Sequence, residues 1–133
     1  MKPSSFVGVF LMLSVLIAPS GYAKLVQLTG KPVAKASCDE NGCVHEKIAP
    51  EEQDEYGMEV VRFRDDFYWT SQDDKRLFHY AEGASKYYVN PEGSGYVKTV
   101  VVDGKCTYME HLTTELKNIT YWGECQESQG REA

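Results

Sequence analysis

The chain has 133 residues, of which 42% are hydrophobic, and its 20 acidic and 14 basic side chains give a formal net charge of −6 at pH 7. This length suits one domain with a small core. The acidic balance and the lack of a Lys- and Arg-rich stretch argue against binding to nucleic acid or to anionic membranes, because both carry negative charge.

Residues 1–23 are typical of a secretory signal peptide. A short basic start is followed by the uncharged apolar run Phe6–Ala18, and small residues, Gly21 and Ala23, stand at the two positions that signal peptidase reads. The apolar run is shorter than the roughly 20 residues that span a bilayer. We therefore expect an exported protein, periplasmic or secreted, with no membrane insertion after signal cleavage.

Residues 24–57 contain few large apolar side chains, and we interpret them as an N-terminal arm followed by an acidic linker. The stretch CDENGCVHE holds Cys38, Cys43 and His45. A c-type haem would require the histidine directly after the second cysteine, where Val44 stands instead. A structural zinc site needs four ligands, and a calcium loop needs alternating rather than adjacent acids. We therefore predict a disulfide-closed turn with no metal.

Four cysteines in an exported chain indicate disulfides, and three connectivities are possible. The spacing favours the pairs Cys38–Cys43 and Cys106–Cys125. A disulfide that closes a longer loop removes more chain entropy, so the second pair is expected to contribute more to stability.

Residues 58–125 are predicted to form the core domain, which is mainly β. Short β-rich runs alternate there with turn residues, and Asp103-Gly104 predicts a hairpin with a type I′ turn. This spacing predicts a small antiparallel meander, curled into a barrel or a sandwich and stapled by disulfides. Residues 126–133 are polar and predicted to be a flexible tail.

Residues 108–117 allow two interpretations. Their apolar side chains recur at helical spacing, which favours a short helix. The Asp-Gly hairpin instead requires a returning strand, with a turn near residues 114–116, and we favour this strand. Either structure brings Cys106 close to Cys125.

No pattern typical of an enzyme is found, so we predict no catalytic residues and no cofactor. The adjacent acids Asp65-Asp66 and Asp73-Asp74 would point to different sides of a strand or turn, unlike paired catalytic carboxylates. The alternative is a secreted metal-binding protein or small hydrolase that uses His79, His111 and nearby acids.

The many aromatic residues are the main candidates for function. Neighbouring aromatics on a strand place one ring inward and one outward. Exposed rings can anchor a protein or stack on a sugar, and an acidic surface attracts basic partners. We therefore expect a non-catalytic binding protein, inhibitor-like or an envelope-associated accessory protein, with an acidic, aromatic surface and a protein or glycan partner that is basic. The binding candidates are Trp69, Tyr87, Tyr88, Tyr96 and Trp122.

The stretch GASKYYVNPEGSGYVKTVVVDGKC, residues 83–106, resembles in outline the bacterial periplasmic inhibitors of C-type lysozymes. Those inhibitors are small exported β-barrels with a Ser-Gly-x-x-Tyr loop, a later Asp-Gly turn and disulfide cysteines. Here the serine follows Gly83, the spacing from Gly83 to Tyr87 is one residue longer, and the family's Trp-x-Lys-Gly stretch is absent. The sequence alone therefore does not assign the chain to that family.

Overall fold

The computed structural model describes residues 23–128, so the predicted signal peptide before Ala23 and the last five residues of the predicted tail lie outside this range. The described chain is mostly strand, because runs of β-branched and aromatic residues end at Gly- and Asp-containing turns. Two short 3₁₀ helices span Pro50–Glu52 and Thr70–Gln72. The strands are β1 (Lys24–Asp39), β2 (Gly42–Lys47), β3 (Met58–Phe63), β4 (Asp66–Trp69), β5 (Lys75–Glu82), β6 (Ser85–Val89), β7 (Gly95–Val102), β8 (Lys105–Thr113) and β9 (Asn118–Glu127).

Eight of these strands form a closed antiparallel barrel. The pairing runs β1–β3–β4–β5–β6–β7–β8–β9, and β9 pairs again with β1 to close the circle. Strand β2 stands outside the circle and pairs only with the second half of β1. The barrel confirms the predicted mainly β, antiparallel fold.

Strand β1 is the element on which the barrel closes. Residues 24–30 pair with β3, and residues 28–38 pair with β9. Bulges at Gln27 and Val33 interrupt these ladders, and such bulges bend a strand.

The structure therefore differs from the expected arm and linker over residues 24–57. Strand β1, Lys24–Asp39, belongs to the barrel, and residues 48–57 are a connecting segment without strand. β1 has few large apolar residues because its partners fill the interior instead. At Gly30, for example, a Cβ would lie 2.7 Å from Cζ of the Tyr108 ring.

The turns follow the predicted local chemistry. Asp103 and Gly104 both have positive φ, at 53° and 77°, as a type I′ turn requires. Residues 108–113 belong to β8, and the turn over residues 114–117 leads into β9, so the alternative helix is not formed. Within residues 23–128, no helix has the length and apolar character needed to cross a membrane.

The core fills the barrel interior with side chains from alternate strand positions. Trp69 and Tyr88 are its largest members, and neither has any exposed surface. Alternation arises because successive side chains on a strand point to opposite sides of the sheet. The central cluster consists of Leu28, Met58, Val60, Trp69, Leu77, Tyr88, Val97, Tyr108 and Cys125.

Both predicted disulfides are present. Cys38–Cys43 links β1 to β2, and Cys106–Cys125 links β8 to β9. The CDENGCVHE stretch is therefore a disulfide-closed hairpin, whose turn is stabilised by the Asn41 N–H donating to Asp39 Oδ1 at 2.8 Å. Two disulfides indicate an oxidising compartment and hence an exported protein.

Removing Cys106–Cys125 should destabilise the protein more than removing Cys38–Cys43. The bridges span sequence separations of 19 and 5 residues, and loop-closure entropy predicts a difference of about 1 kcal/mol in the free energy of unfolding. Urea unfolding of the Cys106→Ser/Cys125→Ser and Cys38→Ser/Cys43→Ser double variants would measure it. Equal losses, or a larger loss in the second variant, would contradict the chain-entropy explanation.

Candidate binding surfaces

The outer side of β5–β9 carries a first row of large side chains, produced directly by the strand register. Trp122 lies opposite Met109, Met109 opposite Lys98, Lys98 opposite Tyr87, and Tyr87 opposite Tyr80. Directly opposed residues share one side of a sheet. The row therefore crosses five adjacent strands on the outside of the barrel.

A second row runs parallel to the first on the same outer side. Phe78 lies opposite Val89, Val89 opposite Tyr96, Tyr96 opposite His111, and His111 opposite Thr120. Phe78 is 55% exposed, whereas Tyr96 is half-buried. We call the outward aromatic residues of the two rows the aromatic face: Phe78, Tyr80, Tyr87, Tyr96 and Trp122.

Neighbouring side chains already cover several ring faces on this surface. Tyr80 and Tyr87 stack with centroids 4.8 Å apart, and Lys98 Nζ lies 5.5 Å from the Tyr87 centroid. Tyr96 stacks on His111 at 5.2 Å. These contacts hold the rings in place and cover at least one face of Tyr80, Tyr87 and Tyr96, which leaves less ring face open to stacking by a partner.

Trp122 borders a groove of about 430 Å³ on the outside of β7–β9 and β1. Val33, Val100 and Met109 supply apolar lining, and Val33 is 50% exposed because it occupies the bulge in β1. An apolar groove beside an exposed tryptophan is a common site for a partner's anchoring side chain. The groove therefore extends the aromatic face towards β1.

Three cations, Lys98, Lys105 and Arg76, lie near the aromatic face of this acidic chain, and Arg76 is paired with Asp66 at 2.9 Å. Lys98 and Lys105 line the groove, and its acidic residue Glu124 lies 3.3 Å from Lys105. Arg76 lies over the Phe78 ring at 5.8 Å. The expected acidic, aromatic surface is thus divided into two regions, and the acidic one lies elsewhere on the barrel.

The acidic region surrounds β2 and the segment that follows it. Glu55 is the main cause of a raised pKa at Tyr56, and burial and the carboxylates of Glu52 and Glu46 raise that pKa further. Tyr56 stacks on Tyr121 at 5.7 Å. We call Glu46, Glu52, Glu55 and Tyr56 the acidic end.

The five predicted binding residues are divided between the outside and the core. Tyr87, Tyr96 and Trp122 belong to the aromatic face, whereas Trp69 and Tyr88 fill the barrel interior. The interior pair is unavailable to a partner while the barrel is intact, because neither has exposed surface.

Phe78 and Tyr80 were not among the predicted residues. Their signal is the alternation in RLFHY, which places them on one side of β5, followed by the Gly83-Ala84 turn that brings Tyr80 opposite Tyr87.

The barrel interior also holds a buried carboxyl that the sequence did not reveal. Glu110 is 1% exposed, and its Oε2 accepts a 2.7 Å hydrogen bond from the Trp69 Nε1–H. Burial raises the pKa of Glu110 to about 7, and the Trp69 hydrogen bond opposes this rise. Nearby, Thr99 Oγ1 and Tyr108 Oη are buried without a hydrogen-bond partner among the described residues. These three residues are at most 3% exposed, so the cluster belongs to the core and bears on stability.

The two histidines of the alternative metal or hydrolase site are not brought together. His79 stacks on Tyr88 on the interior side of the sheet, and its Nδ1 lies 3.2 Å from the Tyr87 carbonyl oxygen. His111 is on the outer side, with Nδ1 3.0 Å from Thr120 Oγ1. Over residues 23–128, no group of three or more His, Cys, Asp or Glu side chains is placed to hold a metal ion.

Comparisons with known proteins do not assign the chain to a family. Neither the models of protein families, nor the curated proteins, nor the solved structures give a significant match. Function is therefore inferred from the surfaces described above.

Proposed function

We propose that the chain is an exported, non-catalytic binding protein and that the aromatic face is its principal partner-binding surface. The observation that carries this proposal is the pair of outer rows, which gather five aromatic residues on adjacent strands. Tyr and Trp side chains supply large contact area at low entropic cost and dominate many protein interfaces. The signal peptide and a periplasmic or secreted location are parts of the same proposal.

The arrangement of the rings favours a protein over a glycan as the partner. Sugars stack on free ring faces, whereas Tyr80, Tyr87 and Tyr96 each have a face covered by a neighbour. Ring edges, lysines and an apolar groove beside Trp122 instead match the mixed apolar and polar surface of a protein. An inhibitor or an envelope-associated accessory protein would act through such a surface.

The double variant Tyr87→Ala/Trp122→Ala should lose its partner while keeping its fold. We expect binding to weaken at least about tenfold, because truncating an anchor residue at a protein interface typically costs more than about 1 kcal/mol and the variant removes two. Immobilised protein beginning at Lys24 would be incubated with the exported proteins of the host, and retained proteins quantified by mass spectrometry. The affinity of the retained partner would then be measured with purified components.

The matched control is Leu116→Ala. Leu116 is 79% exposed in the turn between β8 and β9 and lies outside both rows. Acrylamide quenching adds a second readout, because Trp122 is 37% exposed whereas Trp69, the other tryptophan, is buried. Two results together would refute the role of the aromatic face. The partner would bind the double variant as tightly as the Leu116→Ala control, and it would leave the quenching of Trp122 in the parent protein unchanged.

A further inference from the structure

Strand β2 has a free edge. It pairs with β1 on one side only, whereas each of the other eight strands has neighbours on both sides in the described sheet. All six of its residues, Gly42–Lys47, are exposed. An open edge presents backbone N–H and C=O groups that can pair with another extended chain.

The register identifies which backbone groups are free. The Cα atoms of Cys38 and Cys43 lie 4.0 Å apart, which marks them as a non-hydrogen-bonded pair of the antiparallel ladder. Every second residue of β2 has the same orientation, so Cys43, His45 and Lys47 direct their N–H and C=O groups away from β1. Val44 and Glu46 use theirs to bond β1.

The disulfide prepares this edge for binding. Cys38–Cys43 joins β1 and β2 beside the hairpin turn, where the Asn41 N–H bond to Asp39 also restrains the chain. A preordered strand loses little conformational entropy when a partner pairs with it.

The charges around the edge select the partner. Asp39 and Glu40 precede β2, Glu51 and Glu52 follow closely, and Glu46 lies within it beside the single cation of the strand, Lys47. A second copy of the chain paired at β2 would bring these carboxylates together, which costs free energy. A segment rich in Lys or Arg would gain from the same field.

A contact within the protein shows how a cation fits at the acidic end. Lys35 lies opposite both Tyr121 and Glu46, and its Nζ lies 5.4 Å from the Tyr56 ring centroid and 5.9 Å from that of Tyr121. The stacked rings and the neighbouring carboxylates thus already accommodate one ammonium group.

We propose that the free edge of β2 binds an extended, basic segment of a partner protein by antiparallel strand addition. Backbone groups of Cys43, His45 and Lys47 would supply the pairing, and the acidic residues around β2 would supply the preference for Lys and Arg. Trp122 lies opposite Ala34, and Ala34 lies opposite Lys47, so this edge is two strands away from the aromatic face. It uses backbone groups in place of aromatic side chains, so it goes beyond the function proposed above.

Amide hydrogen exchange tests the register and the binding together. In the free protein, the amides of Cys43, His45 and Lys47 should exchange much faster than those of Val44 and Glu46. The probe is a short peptide in which lysine alternates with valine, and its control has glutamate in place of lysine. We expect the lysine peptide, and not the glutamate peptide, to slow exchange of the three outward amides by at least about fivefold at saturation.

Two variants of one residue isolate the strand pairing. His45→Pro removes the central outward N–H without removing a bond to β1, whereas His45→Ala keeps that N–H. Peptide affinity should fall at least about fivefold in the proline variant and stay within about twofold in the alanine variant, since one ladder hydrogen bond is worth about 1 kcal/mol. Raising the salt from low to high concentration should weaken the lysine peptide as screening increases.

Several results would overturn the inference. Fast exchange at Val44 and Glu46 instead of the three outward amides would contradict the register. No protection by the lysine peptide, or equal binding of the glutamate peptide, would contradict the binding of a basic segment. A dimer of the protein alone that protects β2 would show that a second copy occupies the edge. The Tyr87→Ala/Trp122→Ala variant should bind the lysine peptide normally, so failure of the aromatic face and failure of the β2 edge are distinguishable.

Discussion

Replacing Glu110 with glutamine should stabilise the protein at about pH 8 and remove much of the pH dependence of its stability. In the folded protein, burial raises the pKa of Glu110 from 4.5 to about 7, so folding favours the protonated carboxyl. The contribution of the protonated Glu110 carboxyl to stability is fully present below about pH 4.5 and is lost as the pH rises through 7. It is lost because the carboxyl ionises at lower pH in the unfolded chain than in the folded protein. The two pKa values correspond to a loss of about 3 kcal/mol across this range.

Urea unfolding measured from about pH 4 to pH 8 would test this expectation. Glutamine keeps a carbonyl oxygen for the Trp69 Nε1–H and cannot ionise, so its stability should change less over this range than that of the parent protein. Glu115→Gln is the control, because it removes the same charge from an exposed turn position. If the Glu110→Gln and Glu115→Gln curves have the same pH dependence, ionisation of Glu110 does not control stability.

Replacing Gly123 with alanine should prevent the barrel from closing properly. A Cβ at this position would overlap the carbonyl oxygen of Lys31 and lie 2.8 Å from the carbonyl carbon. Both are backbone atoms of β1, so a change of side-chain rotamer cannot relieve the contact. Gly123 lies opposite Pro32 at the bulge in the β9–β1 ladder, which is the pairing that closes the barrel.

We expect the Gly123→Ala variant to lose about 3 kcal/mol of stability, at the upper end of the usual cost of overpacking. Gly57→Ala is a matched control, because its Cβ would make ordinary contacts, the nearest 3.5 Å away at the Asp54 carbonyl oxygen. Denaturant midpoints and the exchange rates of the β1 and β9 amides would be measured for both variants. A Gly123→Ala protein as stable as the Gly57→Ala protein would show that the two strands separate easily at the bulge.

The features that could be predicted from the sequence are those that depend on neighbouring residues. Asp103-Gly104 predicted its turn because positive φ at both positions is a property of those residues. The short β-rich runs within residues 58–125 predicted strands, and Met58–Phe63 and Gly95–Val102 are two of the strands that form there. Cysteine spacing favoured both disulfides, because each pair joins adjacent strands of one hairpin.

Which side of each strand faces the core depends on how the barrel closes, so it could not be predicted from the sequence. Alternation places Tyr87 and Tyr88 on opposite sides, yet it does not say which is inside. The closed barrel puts Tyr88 in the interior and Tyr87 on the aromatic face. The same closure buries Glu110, whose position beside Trp69 depends on strands far apart in the chain.

The role of β1 was decided in the same way. Its sequence has few large apolar residues, which is typical of an arm, yet residues 28–38 pair with residues 118–127 to close the barrel. The local sequence of a segment indicates that it prefers an extended backbone. Its partners, the inward direction of its side chains and the free edge left at β2 arise only when distant strands pair, because those hydrogen bonds and contacts join residues that no short window contains.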